Sequence, residues 1–272
     1  MEHQSFLDKI SDSDMCLVGI GEDFDTHKSL FNSSVYEKGC VFFKQIGALT
    51  LLPAWKSYCC NRVGNGEIKN AVDKLAEILK EKNYFVISLS TNEVISLYPW
   101  KHGRIVSPCG MFTHKQCPNG HRELVDLSDT ERAQMDSLFD ALYVECGVQN
   151  KELDVEKITK IMPDFGVCPE CGERLVLNNI YAENYVEAGY LPKWELYKKW
   201  LQGTVNRKLI ILELGVGLKY PSVIRWPFEK VAFFNEKANL FRIHEHLPQL
   251  PPELAQKGTG ISQNPIDWLL DL

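Results

Sequence analysis

Two short cysteine-bearing turns constrain this chain more than any other feature. Cys168-Pro-Glu-Cys171-Gly sets two thiols at the spacing of a metal knuckle, and its Pro and Gly favour a turn that aims backbone N–H groups at the sulfurs. Upstream, Cys117-Pro-Asn-Gly-His121 supplies a second turn with one thiol and one imidazole. Cys117, His121, Cys168 and Cys171 together make a Cys3His set, the donor chemistry of a closed, tetrahedral, structural zinc site with no position left for water. Gly120 stands where a second Cys-x-x-Cys would place its sulfur, so His114 is an alternative to His121 as fourth ligand. For Cys168 and Cys171 the plain alternative is a metal-free pair of turn cysteines. The chain has nine cysteines, irregularly placed, and this odd number fits reduced thiols plus a metal better than a disulfide framework.

Around these turns the hydrophobic pattern alternates between strands and helices. Met15 to Val18 is a short apolar run that ends in Gly19-Ile20-Gly21, a buried strand with a sharp turn at its C-terminal end. From Glu67 to Lys80, Ile68, Val72, Leu75 and Leu79 recur at spacings of four, three and four, which predicts a helix with one buried face. Tyr84 to Leu89, Leu209 to Leu214, Val231 to Phe234 and Leu240 to Ile243 read as further strands. The expectation is an α/β fold: a large domain with a mostly parallel sheet covered on both faces, formed by residues 1–102 and 185–272. Residues 103–184 read as an inserted small zinc-binding domain. Its helix begins at the capping box Ser128-x-x-Glu131 and docks through Met135, Leu138, Phe139 and Leu142. Residues 25–66 are aromatic-rich without clear periodicity and read as an irregular helical excursion.

Composition removes several function classes. No apolar run approaches the ~18 residues of a membrane span, and the polar N-terminus lacks a signal-peptide layout, so the expected compartment is the cytoplasm. A formal charge of -6 without a basic, aromatic-interleaved stripe argues against a nucleic-acid surface.

The ordered landmarks resemble the Sir2, or sirtuin, family: a strand ending in Gly-x-Gly, a second ending in Thr91-Asn92, Cys109-Gly110 ahead of a zinc knuckle, and a late strand ending in Gly215-Val216-Gly217. The likeness is greatest to the macrodomain-linked bacterial sirtuins, through Leu51 to Tyr58, Tyr84 to Ile87, Leu212 to Gly217 and Pro221 to Glu229. This resemblance implies that the large domain is Rossmann-like and that a cleft between it and the inserted small zinc-binding domain holds NAD or a related nucleotide. It implies that Gly19, Ile20, Gly21, Thr91, Asn92, Gly215, Val216, Gly217 and His244 line the cofactor, and that a protein is substrate or partner.

Several of these positions depart from the family pattern. Glu22 and Asp23 put two carboxylates where a pyrophosphate is expected, and Val94, or Glu93 after a one-residue slip, takes the place of an aspartate. His244 replaces an asparagine. Cys109 stands eight residues before Cys117, where deacylases carry their histidine; a thiol of ordinary pKa near ~8.5 is poorly matched to that base, and His102-Gly103 has the dipeptide at the wrong distance. Ordinary lysine deacylation is therefore not expected. The resemblance favours a divergent, NAD-binding protein of the ADP-ribosyltransferase branch, with Asn92 orienting the ribose and Cys109 beside it; the alternative is a catalytically inactive pseudo-sirtuin that senses a ligand or binds a protein. Arg225 has two readings as well, a partner contact or the cap of a buried carboxylate.

Overall fold

In the computed structural model, residues 2–26, 30, 32–64, 66–121, 123–148 and 152–272 are described. The chain opens with α1 (Glu2–Ser11) and β1 (Met15–Ile20), then α2 (Ser34–Gln45), α3 (Leu52–Val63), α4 (Glu67–Leu79) and β2 (Asn83–Ser88). It continues through α5 (Glu93–Ser96), β3 (Ile105–Val106), β4 (Gly110–Gln116), β5 (Val125–Asp126), α6 (Asp129–Gly147), α7 (Val155–Thr159) and β6 (Val176–Asn179). The last elements are α8 (Leu191–Gln202), β7 (Leu209–Leu214), α9 (Arg225–Phe234), β8 (Ala238–Ile243), β9 (Gly258–Ile261) and α10 (Pro265–Leu270). Every residue of β1 and β7 is buried, and a strand with no polar face must be covered on both sides. Their six-stranded sheet is parallel throughout, in the order β3-β2-β1-β7-β8-β9. Counting only the strands of that sheet, this is the 3-2-1-4-5-6 arrangement, whose order reverses between β1 and β7. Ligands of such sheets bind outside the carboxyl ends of the strands at that switch point.

Alternate residues of the central strands feed two cores. Cys16, Val18 and Ile20 pack with α4, α10 and Phe6 on one face; Leu17, Phe85 and Ile211 pack with Tyr197 and Trp200 of α8 and Phe228 of α9 on the other. Helix α4 buries Ile68, Val72, Leu75 and Leu79 as their spacing predicts, with Ala71 added. The capping box at Ser128 and Glu131 is complete, and Met135, Leu138, Phe139 and Leu142 of α6 are buried.

The two cysteine-bearing turns sit beside a separate antiparallel sheet, β5-β4-β6. The large sheet reaches past the expected boundary at 103 to Val106, because Ile105 and Val106 pair with Val86 and Ile87. The 25–66 excursion contains two regular helices, with residues 27–29, 31 and 65 outside the described part. It carries the docking surface of α6: Phe43 and Trp55 meet Phe139, and Lys38 donates to the Cys146 carbonyl.

One strand expectation fails. Val231–Phe234 is the last turn of α9, not a strand. Burial of Ile224, Phe228 and Ala232, with Phe233 and Phe234 exposed, has the period of a helix lying on the sheet. The sixth strand is β9, whose Gly-Thr-Gly-Ile sequence carries no apolar alternation.

Candidate functional site

At the two cysteine-bearing turns, local geometry brings the four candidate metal ligands together. Gly120 and Gly172 adopt left-handed backbone (φ of 78° and 76°), so each turn doubles back on its ligands. The ligand atoms of Cys117, His121, Cys168 and Cys171 all lie within 4.8 Å of one another. Cys117 Sγ is 3.5 Å from Cys171 Sγ, and His121 Nδ1 is 3.3 Å from Cys168 Sγ. A tetrahedral ion with Zn–S bonds of ~2.3 Å sets its sulfurs about 3.8 Å apart, so the spacing fits a metal of zinc's size. The Asn119 N–H donates to Cys117 Sγ, and backbone N–H groups hold the Cys168 and Cys171 thiols below the usual range, against the burial that acts on both. Glu170 lies 3.8 Å from His121 Nε2 and can orient the ring from behind. His114 is elsewhere, with Nε2 3.3 Å from Asp126 and Nδ1 2.7 Å from Thr113 Oγ1.

At the switch point the expected cofactor residues are also brought together, but they contact one another. Gly19 lies against α9, where an added Cβ would be 2.6 Å from Ile224. Ile20 is fully buried in the core, so its bulk is not in the cleft. Gly21 donates its N–H to the Leu214 carbonyl, and a Cβ there would stand 2.0 Å from the Gly215 oxygen. Gly215 (φ 60°) donates to Ile243 O and faces Asp23, while the Val216 carbonyl accepts from Arg225. The Gly217 N–H donates to Glu22 Oε2 at 3.0 Å. A side-chain carboxylate thus takes a glycine amide of the kind that receives a phosphate oxygen in dinucleotide sites.

Thr91 and Asn92 are engaged in the same way. Asp25, a buried carboxylate that the sequence did not single out, accepts from Ser90 Oγ, Thr91 N–H and Thr91 Oγ1. Asn92, 1% exposed, caps α5: its Nδ2 donates to Phe24 O, and its Oδ1 accepts from Val94 N–H and Ser57 Oγ. Ser57 in turn accepts from Glu93 N–H. Cys109 is 3% exposed, and burial pushes its thiol up to about 12, with Asp25 and Glu22 adding to the effect against Lys219. It is a neutral thiol at physiological pH. His102 is exposed on the turn before β3.

Carboxylates dominate the electrostatics at the switch point. Burial, then Glu22 and Glu245, raise the Asp23 carboxyl to about 6. His244 Nε2 is 3.8 Å from Asp23, and its Nδ1 accepts from the N–H groups of His246 and Leu247; burial, then Arg225, hold its pKa down, which favours a neutral ring carrying its proton on Nε2. Beneath, Arg225 caps a buried carboxylate: it lies 3.3 Å from Glu213, which Arg242 grips through Nε and NH2 at 2.7 and 3.0 Å. A lone Glu in the apolar run Leu209 to Leu214 signals such a buried partner.

No protein-family model matches the chain. A probable bifunctional ADP-ribose hydrolase/ADP-ribosyltransferase of Fusarium oxysporum f. sp. cubense is 26% identical over 148 residues, 53% of this chain and 23% of that protein. The match thus spans less than a quarter of that relative's length. Among solved structures, Sir2Tm bound to a propionylated peptide has a TM-score of 0.50 at 12% identity, over 100% of this chain and 97% of that one. Sir2 in complex with the inhibitor EX-527, 2'-O-acetyl-ADP-ribose and a deacetylated p53 peptide has a TM-score of 0.48 at 13% identity, over 98% and 96% of the two chains. The fold is that of the Sir2 sirtuins. Among the described residues no helix is long and apolar enough to cross a membrane.

Proposed function

We propose that the chain is a sirtuin-fold module, stapled by a structural zinc ion, that recognises a nucleotide-derived ligand at the ends of β1 and β7 without turning it over. The commitment of Asn92 carries this reading: the side chain expected to orient a ribose instead caps α5 and ties it to Phe24 and Ser57. The neutral, buried thiol of Cys109 supports the same conclusion, since it offers no base where deacylation needs one. Cys117, His121, Cys168 and Cys171 would hold the zinc, which supplies a cross-link between two turns and no chemistry.

A second reading, NAD-dependent ADP-ribosyl transfer to a protein, draws support from the name of the Fusarium relative and from glycine turns at the switch point. Nicotinamide release from millimolar NAD, followed by chromatography on zinc-loaded protein, separates the two. The first reading predicts no release above a protein-free control; sustained release replaces it with the second.

A further inference from the structure

The donors and acceptors at the switch point have an asymmetry that bears on the ligand. Phosphate needs donors, and four of the turn amides are already engaged: Gly21 on Leu214 O, Asp23 on Gly215 O, Gly215 on Ile243 O and Gly217 on Glu22. Acceptor capacity stays open beside them. Glu22 Oε1 is buried without a partner, and the Asp23 side chain is 34% exposed beside His244. Asp25 and Glu245 add negative charge around Asp23. His246 acts against this charge at Asp23 and Lys56 at Asp25, yet burial and the neighbouring carboxylates still leave the Asp23 carboxyl raised. Arg225 is matched by Glu213 and turned toward the Val216 and Leu247 carbonyls, while His246 and Lys219 are exposed. One buried donor of Arg225 remains, its Nε, which has no partner although Arg225 is 6% exposed and feels the Glu22 charge.

A sugar hydroxyl both donates and accepts, so it can satisfy a free carboxylate oxygen and a free guanidinium N–H together, and carboxylates at strand ends are the groups that take ribose hydroxyls in this sheet class. We infer that this cleft selects a phosphate-free nucleoside, neutral or cationic, over a pyrophosphate-bearing dinucleotide. The inference rests on the ligand-binding reading above and names its ligand class. Glu22 acts as a built-in anion that excludes phosphate and presents its second oxygen to the ribose.

Calorimetry on the zinc-loaded chain with adenosine, nicotinamide riboside, ADP-ribose and NAD tests this directly. The two nucleosides, one neutral and one a pyridinium cation, are expected to bind roughly tenfold or more tightly than the two pyrophosphates, given like charges at contact distance. Glu22→Gln keeps the side chain's size and removes its charge, and is expected to strengthen NAD binding about tenfold while leaving or weakening nucleoside binding. Asp23→Asn should move the ratio the same way, which protects the test if one variant folds poorly. Equal or tighter binding of NAD by the unaltered protein overturns the inference and leaves ligand binding standing; absence of binding by all four compounds overturns both.

Discussion

The zinc knuckles and the sheet-end cleft are both places where chemistry-bearing residues converge, yet they are built in opposite ways. At the knuckles, the four candidate ligand atoms lie within 4.8 Å of one another, and Asn119 donates to the Cys117 and Cys171 sulfurs. At the cleft, glycine amides, Asn92 and Thr91 are consumed by Glu22, by backbone carbonyls and by Asp25. Converging groups bind a ligand through those that still lack partners, which in the cleft are Glu22 Oε1 and Arg225 Nε.

The largest expected effect comes from breaking the knuckle side of this contrast. Cys168→Ser, or extraction by a strong chelator, should lower metal content from one zinc per chain to well below half and lower the melting temperature by roughly 10 °C or more, because metal binding is folding energy for a small module. Elemental analysis and thermal melting read both quantities. Retained stability without metal would mean that the turns hold themselves.

Next in size is a pair of glycine substitutions that distinguishes backbone packing from ligand space. Gly21→Ala drives a Cβ to 2.0 Å from the Gly215 oxygen and 2.3 Å from Val216 Cα, with rigid backbone on both sides, and should cost on the order of 3–5 kcal/mol. Gly217→Ala meets nothing nearer than Glu22 Oε2 at 3.5 Å and should cost less than about 1 kcal/mol. Denaturant unfolding measures both; equal tolerance would say that Gly21 opens onto solvent.

The smallest effect is a pH dependence. The Asp23 carboxyl is raised from an ordinary 3.8 to about 6, so its contribution to stability is complete below 3.8 and lost as pH rises through 6. At neutral pH the ionised group is destabilising. Asp23→Asn should therefore raise the melting temperature near pH 7.5 by roughly 2–4 °C, on the order of 1 kcal/mol after allowance for its partial exposure, and lose that advantage near pH 4. A gain at acid pH and none at neutral would reverse the assigned sign.

Legibility in the sequence follows the same contrast. The knuckles could be read because a turn of four or five residues fixes where its ligands point. The α4 stripe and the Ser128–Glu131 box could be read because they are local to one helix. Val231 to Phe234 deceived because four apolar residues suit a strand as well as a helix end, and only the burial of Phe228 and Ala232 across the sheet decides. In the cleft, Glu22 and Asp23 were visible as a charge conflict, but not its resolution, which brings together chain segments nearly two hundred residues apart. Asp25 and Ser57 left no signal, since a polar residue in an irregular segment reveals its role only when its partner loop arrives.

Asn92 gives the most direct test, because the two accounts of it predict opposite results from one variant. Asn92→Ala, assayed for thermal stability and for nicotinamide release from NAD, should lose about 2 kcal/mol through the lost α5 cap and the buried partners left unpaired at Phe24 and Ser57. Release should be absent before and after the substitution. Unchanged stability, together with release that the substitution abolishes, would return Asn92 to the ribose and contradict the account.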